Sequence, residues 1–451
     1  MAHGRRSATE KEYPVHDLTT RFASRASRRG VLKGGVALGI GAVGLGSLSS
    51  HPAAAEAEDS LEIFSWWTSP GESKALQALF DAFTAANPGV EVVNATVAGG
   101  AGVNAKAVLQ TRLQGGQPPD SWQTHVGREL IDLYVVPGSC EPITDIYTSE
   151  GWTDAIPAGL IAQATWQSDQ YSIPVGVHRG NGFWYNKSVM DDNGIEVGDT
   201  MSVDEFLAAA DTLKAAGIPA LAFSNSEGFQ GAQTFENTLL GVVGPDTYNA
   251  LFKGDAAWDD QGVKDAAGTF AKMLDYVNQD FSALTWSDAI ALVIEGKAGF
   301  NSMGDWAYGE VLAKNAQDNI GWVSHPGSAG SFVLVVDSFT LPVGAPHPEN
   351  AKNWLITLGS KEAQEAFNPL KGSIPARTDV NRDLFSPYHQ WSMDSFTNDA
   401  LVPSCAHGQA SSPAFQQAFY DATTAFVTDK DVDTYLSLLK DAAAMDAETT
   451  S

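Results

Sequence analysis

The sequence carries two classes of side chain that suit the binding of a small hydroxylated ligand. Indole rings can cover an apolar face of such a ligand, and the candidates are Trp66, Trp67, Trp286 and Trp306. Carboxylate, amide, imidazole and ammonium groups can hydrogen-bond hydroxyls, more strongly when they are charged. The candidates of this second class are Glu72, Gln123, His125, Asp305, Asp337, Lys371 and His407. Together they predict one polar cleft with aromatic walls and no catalytic residue.

Simple structural roles compete with binding at several of these positions. Trp66 and Trp67 are adjacent in a predicted strand, so one is expected to line the cleft and the other to pack. Gln123 and His125 have period-two spacing and are expected to share a face. Glu72 falls in the loop after the first strand, where an acid could equally serve the start of a helix.

The remaining polar candidates lie in irregular or strand-end positions. Asp337 follows an apolar run and would be costly to bury without partners. Lys371 is predicted in a constrained loop, where it could donate to hydroxyls or to Asp337. His407 lies in an irregular segment before a glycine, and Asp305 could bind ligand or cap the next helix. Arg179 is expected to pair with an Asp or Glu rather than contact ligand.

A strand–helix–strand unit must position the first of these residues. Residues 61–67 are typical of a strand, a helix is predicted from about Ser73, and residues 90–93 return as a strand. Further helices are predicted over 104–114, 203–216, 286–295, 348–358, 361–367 and 415–445, with a short strand over 121–125. This alternation predicts an open α/β sheet, in which ligands bind beyond the carboxyl ends of strands.

Composition narrows the function classes. The 451 residues include 27 basic and 54 acidic side chains, giving a formal charge of −27. Such a charge argues against nucleic acid and anionic membranes as partners. No zinc-protease, nucleophile-elbow or phosphate-loop motif is present, and no cofactor or metal is expected. Cys140 and Cys405 could form one disulfide, but sequence alone leaves this pairing open.

The N-terminus has the order of an export signal. The stretch SRRGVLK at 27–33 resembles the twin-arginine motif, and a glycine-rich apolar stretch and AAA at 53–55 follow it. The apolar stretch is shorter than the roughly 20 residues that a transmembrane helix needs, so no transmembrane helix is predicted here. We therefore expect residues 1–58 to be a signal peptide and linker.

Ten short segments, in order along residues 61–445, resemble the extracellular solute-binding proteins of family 1 from carbohydrate ABC importers, with the glucose/galactose-binding subgroup most similar. They are FSWW at 64–67, GGAGVNA at 99–105, PPD at 118–120, QTH at 123–125, HR at 178–179, GKAGF at 296–300, MGDW at 303–306, DSF at 337–339, NPLKGS at 368–373 and HG at 407–408. Each segment is weak alone, and their order is specific.

The resemblance implies an α/β, two-lobed periplasmic-binding-protein type II fold with a hinge and an interlobe cleft. Lobe 1 would take residues 59–176 and lobe 2 residues 177–300, with a return to lobe 1 over 301–340 and an end in lobe 2 over 341–451. It also favours Trp67 over Trp66 for stacking on sugar, and Trp286 as a second platform.

The same resemblance implies a monomeric, non-enzymatic subunit that binds a monosaccharide, glucose or galactose, and delivers it to ABC permease transmembrane subunits. The implied location is periplasmic or at the cell surface. Two alternatives stay open: a disaccharide or oligosaccharide ligand on the same fold, and an exported glycoside hydrolase, which needs two carboxylates about 5–9.5 Å apart.

Overall fold

The computed structural model describes residues 59–450, with side chains described through 446. The predicted signal peptide and linker at 1–58 lie outside the described residues. Within residues 59–450, no helix combines the length and apolar character needed to cross a bilayer.

Twelve strands form in the described part of the chain, and most are short. They are β1 (Ser60–Phe64), β2 (Glu91–Asn94), β3 (Ser121–His125), β4 (Cys140–Glu141), β5 (Thr165–Trp166), β6 (Asp169–Gln170), β7 (Ser172–Arg179), β8 (Gly182–Asn186), β9 (Phe300–Ser302), β10 (Ile320–Ser324), β11 (Ser331–Pro342) and β12 (Ala400–Pro403).

Helices connect and cover these strands. They are α1 (Pro70–Ala86), α2 (Val103–Gln114), α3 (Arg128–Leu130), α4 (Thr144–Ser149), α5 (Trp152–Ala155), α6 (Ala158–Gln163), α7 (Lys187–Asp192), α8 (Val203–Ala215), α9 (Phe229–Lys253), α10 (Gln261–Met273), α11 (Trp286–Ile294), α12 (Trp306–Ala313), α13 (Pro348–Gly359), α14 (Lys361–Lys371), α15 (Pro387–Asn398), α16 (Pro413–Asp429) and α17 (Val432–Thr450). The mixture confirms the predicted α/β class.

The larger sheet has the order β12-β11-β3-β1-β2, and β4 and β7 also pair with β11. β1 is parallel to β2 and β3, whereas β11 is antiparallel to β3 and β7. Both β7 and β11 are buried along their whole length. Their apolar runs, residues 332–336 of β11 and 173–177 of β7, pack in the interior, and polar residues such as Asp337 and His178 follow these runs.

A smaller antiparallel sheet has the order β10-β8-β9. It was not predicted from the sequence, because its strands are short and pair across more than a hundred residues. Within the predicted return segment 301–340, β10 lies in this small sheet and β11 in the large one. The predicted lobe boundaries stay a prediction.

Two large clusters of buried side chains flank the site described below. The first core contains β1, β3, α1, α13 and α14 side chains, including Trp67 and Phe367. The second core contains side chains of α9, α11, α12, α16 and α17, including Trp286 and Trp306. A smaller third cluster surrounds Phe183 and Phe206.

Helix starts agree with the predictions better than helix ends do. Ser202 caps α8 through a reciprocal hydrogen-bonded box with Glu205, the pattern that stabilises a first turn. At α11 the cap is Thr285, one residue before the predicted Trp286. The predicted helix over 415–445 is two helices, because Lys430 adopts a left-handed conformation with φ of 57° between them.

Candidate functional site

One cavity of about 270 Å³ lies where the two cores meet. Its walls come from segments that are far apart in sequence. Nine of the eleven predicted residues line it: Trp66, Trp67, Glu72, His125, Trp286, Trp306, Asp337, Lys371 and His407. The other two, Gln123 and Asp305, lie behind the wall and hydrogen-bond residues that line it.

Both Trp66 and Trp67 line the cavity, so the prediction that only one of them would line it was wrong. The reason is that β1 ends at Phe64, and the two indoles follow the strand rather than lying in it. Trp67 packs between Phe339 and Phe367, with ring centroids 5.7 and 5.0 Å away. Both tryptophans can therefore offer part of an indole face to a ligand.

The second core supplies the facing aromatic wall. Trp286 is the first residue of α11 and Trp306 the first of α12, and both are buried except at the cavity. The ring of Trp306 lies 4.9 Å from that of His407 and 5.5 Å from that of His178. Indoles from both cores thus face one space.

Lys371 and Glu72 form a buried ion pair, with Nζ 3.1 Å from Oε1. Lys371 is the last residue of α14, not part of a loop as predicted. The helix continues past Pro369 and ends at Gly372, whose φ of +93° breaks it. Glu72 also departs from the prediction, since it lies in the first turn of α1 rather than in the preceding loop.

The ammonium of Lys371 lies 5.4 Å from the centroid of the Trp67 ring. Ser69 donates a hydrogen bond of 3.1 Å to the second carboxylate oxygen of Glu72. Charge, indole and hydroxyl groups are therefore held together at this wall. Each is preorganised by partners within the protein, which lowers the cost of ordering them around a ligand.

His178 joins Asp337 to Asp305. Its Nε2 lies 3.0 Å from Asp337 Oδ2, and its Nδ1 contacts Asp305 Oδ1. Burial alone would lower the pKa of His178, but the Asp305 carboxylate and the two hydrogen bonds more than offset it, and the pKa is raised. His178 lines the cavity, and Asp305 supports it from behind.

Asp337 is held as a carboxylate at the cavity wall. Burial would raise its pKa, but hydrogen bonding and attraction from His178, with Lys371 and His125 further off, hold the pKa far below its ordinary value. Gln123 Nε2 donates to Asp337 Oδ1 over 2.9 Å, and His125 Nε2 lies 3.7 Å from the same atom. Gln123 and His125 therefore share a face, and Gln123 positions Asp337 rather than lining the cavity.

His125 and His407 meet edge to face, with ring centroids 5.4 Å apart. His125 Nδ1 lies 2.9 Å from Glu129 Oε2, and Lys106 Nζ lies 2.6 Å from the same oxygen. Burial alone would raise the pKa of Glu129. The charges and hydrogen bonds of Lys106 and His125 outweigh that effect and lower the pKa to about 2. Burial holds the pKa of His407 well below its ordinary value, so this imidazole is neutral at pH 7.

Arg179 does not line the cavity. Its guanidinium pairs with Asp399 at 3.2 Å and lies between the rings of Phe332 and Trp391, 4.6 and 4.4 Å from their centroids. This agrees with the expectation that it pairs with an acid. Stacking on two aromatic faces fixes the guanidinium in the interior.

Several lining residues were not predicted as site residues: His178, Glu227, Phe229, Thr285, Ser287 and the backbone of residues 99–101. His178 belongs to one of the segments that carried the family resemblance, and this was its available signal. Phe229 is the first residue of α9 and Glu227 lies two residues before it, and this helix was not predicted. No local pattern marks them, because their position depends on contacts across the molecule.

The arrangement suits a neutral polyol. Carboxylates, imidazoles, an ammonium and hydroxyls surround the cavity, and indoles from both cores cover its sides. Glu72 and Asp337, two of the acids at the wall, are each paired with a base, Lys371 and His178. Across residues 59–446, no group of three or more His, Cys, Asp or Glu side chains is arranged to hold a metal ion.

Cys140 and Cys405 are both buried and free, so the described structure contains no bond between them. Cys140 lies in the first core and Cys405 in the second. In the described structure the open question of a disulfide is therefore answered by two free thiols.

Comparison with known proteins places this site in a family. A family model described as bacterial extracellular solute-binding protein matches residues 78–403. An uncharacterised ABC transporter extracellular-binding protein of Pyrococcus horikoshii is 36% identical over 85% of this chain and 87% of its own length. A probable sugar-binding periplasmic protein of Brucella suis is 32% identical over 86% of this chain and 92% of its own.

A similar fold occurs in the solved structure of the bacterial solute receptor AcbH, described as preferring β-D-galactopyranose exclusively. It superposes with a TM-score of 0.77 at 19% identity, over 87% of this chain and 100% of that chain. The fold is thus that of two-lobed solute receptors. From the matched residues and the relatives above, the chain belongs to the bacterial extracellular solute-binding protein family.

Proposed function

We propose that this chain is the substrate-binding subunit of a carbohydrate ABC importer. It binds one monosaccharide, with glucose and galactose as the leading candidates, and delivers it to a membrane permease. Relatives described as sugar-binding periplasmic proteins, and one described as a glucose-binding protein of Saccharolobus solfataricus, support a sugar ligand. A relative of Haloferax volcanii is described as binding xylose and arabinose. Within the family, we propose that the chain belongs to the glucose/galactose-binding subgroup.

One observation carries the proposal: nine residues chosen from the sequence as sugar ligands surround a single cavity. Its volume of about 270 Å³ lies just under the range of about 300–1,000 Å³ that drug-sized ligands occupy. That size favours one sugar ring over a longer chain. Indole faces cover the apolar side of a pyranose, and Asp337, Lys371 and His407 reach its hydroxyls.

Binding closes the protein around the sugar in this proposal. Trp66 and Trp67 belong to the first core, and Trp286 and Trp306 to the second. A ligand that contacts both sides binds the closed form better than an open one, and this differential affinity drives closure. The lobes are proposed to follow the boundaries predicted above. X-ray scattering with and without the bound sugar measures the expected compaction, and unchanged dimensions despite binding contradict it.

Calorimetry with glucose, galactose, xylose and maltose tests the ligand. A dissociation constant near 1 μM for one monosaccharide, about −8 kcal/mol, is expected. The substitutions W67A, K371A and H407A should each weaken binding by at least about 1 kcal/mol.

Matched controls come from the same chain. Trp166 is 41% exposed, and neither it nor Lys352 lines the cavity. The substitutions W166A and K352A should leave the affinity unchanged. Wild-type affinity in all three cavity variants would show that the sugar binds elsewhere.

The remaining parts of the proposal concern catalysis, export and assembly. We propose that the protein turns over no glycoside, that it travels by the twin-arginine route to the periplasm or cell surface, and that it works as a monomer beside permease subunits. Release of reducing sugar from an oligosaccharide would contradict the first part. Export by the twin-arginine route predicts that an R28K/R29K variant stays in the cytoplasm. Light scattering tests the monomeric state and should give the mass of a single chain.

A further inference from the structure

The loop of residues 99–102 spans the cavity from the first core to the second. It leads into α2, whose Ala105 and Leu109 belong to the first core. Ala101 nevertheless packs against the second core, and its φ of 50° is a conformation that non-glycine residues rarely adopt. The loop is therefore held in a strained conformation by what lies opposite it.

Gly100 makes the closest approach. A Cβ at this position would lie 2.4 Å from Phe229 Cε1 and 2.8 Å from Glu227 Oε2. Only a residue without a side chain fits between the loop and the start of α9. The Gly100 backbone packs directly against the Phe229 ring, and no space remains between them for a side chain.

Glu227 fastens the loop in place. Its Oε1 accepts a hydrogen bond of 2.6 Å from the Gly100 N–H. Its Oε2 accepts from Gln230 Nε2 over 2.6 Å and from the Trp286 N–H over 3.3 Å. One carboxylate thus joins the loop to the first turns of α9 and α11.

We infer that Glu227 determines ligand length: by clamping loop 99–102 to α9 and α11, it closes the cavity wall so that one sugar ring fits and a second is excluded. This inference rests on the proposed function of sugar binding. Gly100, Glu227 and Trp286 all line the cavity, so the clamp forms part of its wall. This part of the wall is held by hydrogen bonds to one carboxylate, so substitution of Glu227 alone removes all of them.

The alternative role for Glu227 is simple stabilisation of the closed form. Loss of that stabilisation weakens binding of every sugar by the same factor. A wall that limits the length of the ligand behaves differently. Opening it weakens the binding of the monosaccharide and makes room for the disaccharide. The ratio of the two dissociation constants therefore separates the two roles.

The test is calorimetry on the full protein with whichever of glucose, galactose or xylose binds most tightly, and with the matching maltose, galactobiose or xylobiose. Two variants open the clamp from opposite sides: E227A removes the carboxylate, and G100A forces the loop away from Phe229. Either variant suffices if the other fails to fold. The control is E196A, which removes an exposed acid outside the cavity.

Wild type and E196A should prefer the monosaccharide. The dissociation constant of the disaccharide divided by that of the monosaccharide should fall by at least about tenfold in E227A and in G100A, a change of about 1.4 kcal/mol. An unchanged ratio in both variants overturns the inference, even where the monosaccharide binds more weakly. A wild-type protein that binds the disaccharide as tightly as the monosaccharide also overturns it, and with it the monosaccharide preference, while leaving intact the proposed role as the sugar-binding subunit of an importer. A wild-type protein that binds none of these sugars overturns the proposed function itself.

Discussion

The ion pair between Lys371 and Glu72 allows a quantitative test of how the cavity wall is built. The two charged atoms lie 3.1 Å apart, and both residues are buried. At an effective dielectric constant of about 20, unit charges at this distance attract by about 5 kcal/mol, much of which offsets their desolvation. The substitution K371M leaves the carboxylate buried without its partner, so the free energy of unfolding should fall by about 3–5 kcal/mol.

Urea unfolding followed by tryptophan fluorescence measures this loss in wild type, K371M, E72Q and the double variant K371M/E72Q. The double variant removes both charges at nearly constant volume, and it should recover at least about half of the loss caused by K371M. The control is K352M. Lys352 pairs with Glu349 at 3.2 Å on the surface, where breaking an ion pair costs under about 1 kcal/mol.

Two outcomes would refute this reasoning. One is a K371M protein as stable as K352M, which would mean that the buried carboxylate finds a new partner or water at little cost. The other is a double variant no more stable than K371M, which would mean that the lysine stabilises through its packing on Trp67 rather than through its charge.

Three further predictions concern other parts of the molecule. Because the pKa of His178 is raised above its ordinary 6.5, its charge stabilises the fold below that pH, and this stabilisation is lost as the pH rises through the raised value. The stability difference between wild type and H178Q, measured by urea unfolding, should therefore shrink as the pH rises from 6.5, and a constant difference contradicts it. Cys140 and Cys405 are buried, which raises the pKa of both thiols, so a thiol reagent should label both after unfolding and neither in the native protein. Gly372 and Gly89 have similar φ values of +93° and +103°, but only at Gly372 would a Cβ meet a backbone oxygen, at 2.1 Å. The substitution G89A should thus cost about 1–2 kcal/mol and G372A clearly more, and equal midpoints in urea would contradict this.

The parts of the fold that sequence predicted are those set by neighbouring residues. Apolar spacing and capping residues located α8, α11 and α13 to within a few positions, because helix starts depend on the local hydrogen bonds of the first turn. Lys371 shows the limit of such reasoning. Pro369 suggested a loop, but the helix ends where the backbone becomes left-handed, at Gly372.

The parts that sequence missed are set by distant partners. The 25-residue helix α9 has no continuous apolar stripe, and a left-handed Gly244 interrupts it. Its first residues line the cavity because they pack on a loop more than a hundred positions earlier in the chain. Glu227 could not be distinguished from a solvated acid, since its donors come from three separate segments.

The polar site shows why residue types could be predicted while their connections could not. Charged side chains beside apolar strands need partners, so their presence indicates a site. Which partner each one finds depends on strand register. Asp337 of β11 lies opposite His125 of β3, and Val335 lies opposite His178 of β7. These positions share one face because side chains alternate along strands.

A shift of register by one residue would turn that face away from the cavity. The register of β11 against β7 changes between Asp337 and Ser338, where β7 holds one extra residue. Such a bulge redirects the neighbouring side chains, and here it lies beside the carboxylate that His178 and Gln123 both bind. The site therefore depends on this irregularity as well as on the identity of its residues. Pro174 and Gly176 flank the extra residue Val175, and they are the sequence signal of this bulge that the prediction did not use.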